Sequence, residues 1–288
     1  MLDSPAGYSD KSVRLQELRA QLQILEKGAA GARTPLAFGL PALDRHLGGG
    51  LPRGCLHEVA GAVDDGAALG FCTALAGRLA AERPVLWCQP EFDLYAPGLA
   101  ALGLDPARLI VITARRPADR LWAMEEGLRC QALAAAVIEL DDLDITAGRR
   151  LQLAAEASGV TGFVLHPDGL RTAAASVAVT RWTVISAGHG VHRSIFRRQT
   201  TEARKQKASR LGASPDQAEL DMPAGTFCLL SSGFCPLPRW QVELRRCRGG
   251  RPGRWLIEWT EGGWRDATGD IALAATLRDR PDPQTARA

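Results

Sequence analysis

From Leu36 onward the chain alternates short, continuously apolar runs with stretches of helical character, and few folds accommodate that alternation. Apolar runs fall at residues 56–60, 84–88, 109–113, 134–140, 160–165 and 176–185. Helical stretches lie between them at residues 67–81, 94–102, 118–133 and 147–157. Strands that are apolar on both faces and separated by helices predict a parallel sheet covered on both sides. The expected fold class is therefore α/β. A hydrophobic content of 46% over 288 residues supplies the core that such a sheet needs.

The flanking segments read differently. Residues 1–35 predict an amphipathic helix over 11–27 and a linker, because Leu15, Leu18, Leu22 and Leu25 recur at spacings of three and four. That stripe packs either on its own domain or on another subunit. Residues 36–187 form the expected core. Residues 188–224 are basic, then polar with Pro and Gly, and read as a flexible insertion. Residues 225–270 are expected to complete the core with a β-hairpin, since apolar runs on both sides flank Arg-Cys-Arg-Gly-Gly-Arg-Pro-Gly-Arg. The tail, 271–288, is expected to be disordered.

Several function classes are set aside by composition. No run of about 18 uncharged apolar residues occurs, so a membrane span is not expected. The N-terminus lacks the basic-then-apolar order of a signal peptide, and the expected compartment is the cytoplasm. The cysteines at 55, 72, 88, 130, 228, 235 and 247 are odd in number and scattered, fitting neither a disulfide framework nor a zinc knuckle. The five histidines form no HExxH frame, so no metal is expected.

The chemistry-bearing segment runs from Glu58 to Leu69. A strand leads into Gly61 and Gly66, spaced as in the phosphate-binding loop G-x-x-x-x-G-K-[ST], and a helix follows. Ala67 stands where a lysine would reach the phosphates, and Ala68 where a hydroxyl would hold Mg²⁺. No lysine lies between Lys27 and Lys205, and Asp64 and Asp65 add carboxylates where phosphate would sit. The loop keeps its shape and reverses its electrostatics, so no nucleotide cofactor and no catalysis are expected. Asp141, Asp142 and Asp144 read as a solvated turn rather than a metal site.

The surroundings of this loop resemble the RecA family. Phe38-Gly-Leu-Pro-Ala-Leu-Asp44 and Leu47-Gly-Gly-Gly-Leu-Pro-Arg-Gly54 are similar to the stretch that precedes RecA's phosphate-binding loop. Val85-Leu-Trp-Cys-Gln-Pro-Glu91, with Leu102-Gly-Leu-Asp105 downstream, resembles the strand delivering its catalytic glutamate, which puts Glu91 in the water-activating position. The strand ending at Asp141 resembles a Walker B strand, and the segment around His166 resembles the one that ends in a nucleotide-sensing glutamine. With the leading helix and the arginine-rich hairpin, the order of motifs over about residues 10–265 resembles the ImuA family, RecA-like and SulA-related accessory proteins of bacterial SOS mutagenesis.

That resemblance implies a RecA-like P-loop core and a non-catalytic role in damage-induced translesion synthesis. It implies partnership with an ImuB-like inactive Y-family polymerase homologue and an error-prone replicative-type DNA polymerase, with RecA and self-association as further contacts, near the nucleoid. A SulA-like inhibitor of cell division and an active RecA-family ATPase with an unorthodox loop stay open as alternatives. For DNA, Arg245, Arg246, Arg248 and Arg251 in the hairpin and Arg197 and Arg198 in the insertion are the candidate phosphate contacts. Trp240, Trp255, Trp259 and Trp264 are candidates for base stacking, but their strand-like alternation favours sheet packing. If the chain joins partners as RecA protomers do, residues 11–27 act in trans.

Overall fold

The computed structural model describes residues 33–62, 65–81, 83–167, 169, 176–187, 238–261 and 263–267. The expected helix over 11–27, the insertion, residues 225–237 and the tail lie outside the described residues.

In chain order the elements are α1 (Pro41–His46), β1 (Leu56–Ala60), α2 (Ala67–Leu79), β2 (Val85–Gln89), α3 (Ala96–Ala101) and β3 (Leu109–Thr113). There follow α4 (Pro117–Arg129), β4 (Ala135–Glu139), α5 (Ile145–Ser158), β5 (Thr161–His166) and β6 (Thr180–Ser186). The last elements among the described residues are β7 (Arg239–Cys247), β8 (Gly253–Thr260) and β9 (Gly263–Asp266). The nine strands among the described residues join one sheet in the order β3-β2-β4-β5-β1-β6-β7-β8-β9. The pairings from β3 to β6 are parallel, and β7, β8 and β9 continue the sheet antiparallel. The chain is thus α/β, as its alternating pattern predicts. The expected hairpin is present and is extended by the short strand β9, whose four residues are too few to register as a periodic run.

Two cores lie on opposite faces of the sheet. One packs Val59, Trp87, Val137 and Phe163 under α2, which is buried on nearly every side. The other packs Leu56, Leu86, Ile138 and Val164 against Met124 and Leu128 of α4 and Leu151 and Ala155 of α5. The C-terminal strands extend the first core with an aromatic cluster in which Phe71 touches Phe38, Trp182, Trp240 and Trp264, with ring centroids 5.4–6.5 Å apart. Trp255 and Trp259 are half-buried against the same cluster. All four tryptophans of the C-terminal strands therefore pack on the sheet, the arrangement that their alternation favours.

Local chemistry fixes the entry to β1. The Asp44 carboxylate accepts the backbone N–H groups of Phe38, Gly39 and Leu40 at 2.7, 2.9 and 3.1 Å, which folds the chain back onto the start of α1. Leu36 and Leu51 then pair as an antiparallel bridge. Gly50 permits that bridge: its φ is +134°, and a Cβ there would lie 2.4 Å from the Leu36 carbonyl oxygen. The motif read as preceding the phosphate-binding loop is a folded clasp.

Candidate functional site

In open parallel sheets ligands bind at the carboxyl ends of the strands. The loop between β1 and α2 opens onto that edge, with Gln89, Glu139 and His166 ending the neighbouring strands β2, β4 and β5. Gly61 is required by packing. A Cβ on it would lie 2.7 Å from the Pro167 carbonyl oxygen and 3.0 Å from the Ala68 Cβ. Gly66 caps α2, and both Ala67 and Ala68 are fully buried in the core beneath.

The Asp65 carboxylate occupies the head of α2. Its Oδ1 accepts the Ala67 N–H at 2.9 Å and the Ser186 hydroxyl at 2.6 Å, and its Oδ2 accepts the Ser186 N–H at 2.7 Å. A helix N-terminus attracts an anion because its first amides are unpaired and its dipole points there. Here the anion is the loop's own side chain, and it also fastens the loop to the end of β6. Asp64 lies outside the described residues.

The acids expected from sequence lie past the carboxyl ends of two paired strands, β2 and β4. Glu91 lies two residues past β2 and is exposed. Asp141 lies two residues past β4 and is exposed as well. Asp144 caps α5, accepting the N–H groups of Thr146 and Ala147 at 2.8 and 2.9 Å. The acid that β4 turns toward α2 is Glu139, which is buried and accepts the Trp87 indole N–H at 2.9 Å. Strand parity carries the signal for it: Ala135, Val137 and Glu139 share one face. Beside it on β2, Gln89 is wholly buried, and neither amide atom meets a partner among the described residues.

Among the described residues the buried arginine at this edge is engaged with backbone carbonyls, while Arg115 and Arg116, which follow β3, are exposed. Arg120 of α4 is buried and donates to the carbonyl oxygens of Ala114, Arg115 and Glu139 at 2.7, 2.8 and 3.1 Å. His166 hydrogen-bonds the Leu140 carbonyl through Nδ1 at 2.9 Å, and burial pushes its pKa below the usual histidine value. On the same face, Glu58 is buried in an ion pair with Arg181 at 2.7 Å.

The hairpin arginines are interleaved with acids. Arg245 and Arg254 both reach Glu243 at 2.9 Å, and Arg239 and Arg265 both reach Glu258. Burial pushes the Glu258 carboxyl up, yet the guanidinium hydrogen bonds outweigh it and hold the group below the usual range. Arg246 donates to the Ser176 carbonyl, and Arg248 lies 3.7 Å from Glu156. Arg251 sits exposed in the β7–β8 turn. Arg197 and Arg198, like Leu15, Leu18, Leu22 and Leu25, lie outside the described residues.

Protein ImuA of Caulobacter vibrioides is 40% identical to this chain over 252 residues, a match covering 81% of this chain and 88% of that protein. The chain belongs to the ImuA family. Protein ImuA from a second strain of the same species gives the same identity and coverage. No protein-family model matches the chain. Membership of the ImuA family rests on this likeness along most of both chains.

Proposed function

We propose that this ImuA-family chain is a non-catalytic, RecA-like accessory protein of damage-induced translesion synthesis. One observation carries the non-catalytic reading: the Asp65 carboxylate takes the amide at the head of α2 that a phosphate would need. Phosphoryl transfer is almost entirely positioning and charge stabilisation. A loop that presents a carboxylate and two buried alanines supplies neither. The degenerate loop then serves as a strut between β1 and β6.

The role left to such a core is docking. The sheet ends on one side at β3, which pairs only with β2 among the described residues, and its run Leu-Ile-Val-Ile-Thr carries no charge and no proline. Ile110 is 47% exposed on that edge. Bare apolar edges of this kind are covered in working proteins, and an added strand from a partner is the simplest cover. The partners that the family resemblance implies are an ImuB-like polymerase homologue and an error-prone replicative-type polymerase. DNA contact through the arginines near the β7–β8 turn completes the reading.

Co-purification from DNA-damaged cells tests it. Recovery of the polymerase pair with the wild-type chain, and its loss with Ile110→Lys, is the expected result. Recovery of the tubulin-like division protein instead would assign a SulA-like role. ATP turnover by the purified chain that vanishes with Glu91→Gln would make it an enzyme.

A further inference from the structure

The face that α4 and α5 turn away from the sheet carries large apolar side chains among its charged ones, at positions where solvent-facing helices carry polar residues. Trp122 on α4 is 66% exposed and Leu153 on α5 is 65% exposed. Between the helices runs a groove of about 460 Å³ walled by Leu121, Trp122, Ala147 and Leu151. Glu125 also lines it, and its carboxylate is already held by Arg129 and Arg150. Thr146, Arg150 and Leu153 fall on one stripe of α5 at spacings of four and three, which carries this face toward the C-terminal end of that helix.

The chain enters the described structure at that same end. The Arg33 guanidinium packs against Gly159, the left-handed cap of α5: a Cβ on Gly159 would lie 2.3 Å from the Arg33 Cζ. Residues 28–32 link Arg33 to the leucine stripe, and five residues reach at most about 17 Å. A helix over residues 11–27 is about 25 Å long, against about 21 Å for α5. A helix of that length running back alongside α5 would match it from end to end. Four leucines at spacings of three and four make a narrow seam, the shape that fills a groove between two helices.

We propose that residues 11–27 dock in cis, with Leu15, Leu18, Leu22 and Leu25 seated over the α4–α5 groove, so that Trp122 and Leu153 are covered by the protein's own N-terminal segment. The segment becomes a third helix on that face of the sheet, and the trans arrangement expected from RecA protomers does not apply to it. The assignment stands apart from the docking role given to β3.

Amide hydrogen exchange of the full-length chain tests this. In the wild type, residues 11–27 should exchange at least about tenfold more slowly than an unstructured segment. That protection should be unchanged over about a hundredfold dilution. Trp122→Asp and, separately, Leu153→Glu should abolish it while the sheet amides stay protected. These two side chains are solvent-exposed, so neither change disturbs the core, and unfolding of one variant leaves the other to report. Free exchange of 11–27 in the wild type overturns the proposal. So does protection that fades on dilution, which signals a second copy, or protection that survives both substitutions, which signals another seat.

Discussion

Ser186 donates both its backbone N–H and its hydroxyl to the carboxylate of Asp65, at 2.7 and 2.6 Å, fastening the end of β6 to the loop between β1 and α2. The same carboxylate accepts the Ala67 N–H at 2.9 Å. Hydrogen bonds to an ionised group are worth about 1.5–3 kcal/mol each, and bonds that share one acceptor do not add fully. Asp65→Ala should therefore lower the unfolding free energy by about 2–4 kcal/mol, and Asp65→Asn by less, because one oxygen still accepts. Urea unfolding measures both. Equal stability of wild type and Asp65→Ala would show that the strut does not stabilise the fold.

The aromatic cluster makes a second expectation. Phe71 is fully buried and touches four other rings, so Phe71→Ala should cost about 3–5 kcal/mol. Trp240→Ala should behave likewise, since that ring is wholly buried. Both variants should melt well below the wild type in thermal unfolding. A Trp240→Ala protein of normal melting temperature with selectively weakened DNA binding would instead return this tryptophan to base stacking.

The alternation of apolar runs and helices identifies every strand of the parallel sheet: β1, β2, β4 and β5 are buried along their whole length, and the partly exposed β3 and β6 still carry apolar runs long enough to register. The site is less legible. Ala67 and Ala68 stand where a loop with the G-x-x-x-x-G-K-[ST] spacing would carry a lysine and a hydroxyl, so the missing chemistry is plain from the sequence. That Asp65 turns onto the helix head depends on Ser186, 121 residues away, and no local spacing carries a contact of that range. Glu139 is readable from strand parity, yet Asp141 sits where the motif comparison directs attention. The hairpin is visible as a cluster of arginines, but its pairing with Glu243 and Glu258 follows from cross-strand register, which places Glu243 opposite Arg254 and Glu258 opposite both Arg239 and Arg265.

His57 provides the pH dependence. Burial lowers its pKa from 6.5 to about 4, its Nδ1 lies 2.7 Å from the Thr180 hydroxyl, and its Nε2 lies 2.9 Å from the Pro52 carbonyl oxygen. Between pH 4 and 6.5 the unfolded chain binds a proton that the folded chain refuses. Unfolding free energy therefore rises with pH through that window; the contribution is complete above pH 6.5 and is lost progressively as pH falls toward 4. It amounts to about 3 kcal/mol. His166 acts in the same direction. The depressed Glu258 carboxyl loses its contribution only at lower pH, below its ordinary 4.5. Denaturant titrations at several pH values should show the slope, and His57→Gln should reduce it even though that variant is less stable throughout. A flat profile between pH 6.5 and 4 would contradict a neutral buried imidazole.

DNA association should be weak, insensitive to sequence and steeply dependent on salt, because the arginines near the β7–β8 turn offer charge without a base-reading element. The pairing of Arg245 and Arg254 with Glu243 sharpens this expectation. A carboxylate shared by two guanidiniums cancels part of the attraction for phosphate, so Glu243→Gln should tighten binding. Replacing Arg245, Arg246, Arg248 and Arg251 with Ala should weaken it, and should lower the slope of log affinity against log salt by up to about 0.9 for each duplex phosphate that is no longer neutralised. Fluorescence anisotropy with a labelled oligonucleotide at two salt concentrations reads both quantities. If the fourfold variant keeps the wild-type affinity and slope, the phosphate-binding arginines lie elsewhere, with Arg197 and Arg198 next to be replaced. If Glu243→Gln leaves binding unchanged while the fourfold variant weakens it, Arg246, Arg248 and Arg251 hold the DNA, and the Glu243 pair serves only to align β7 with β8.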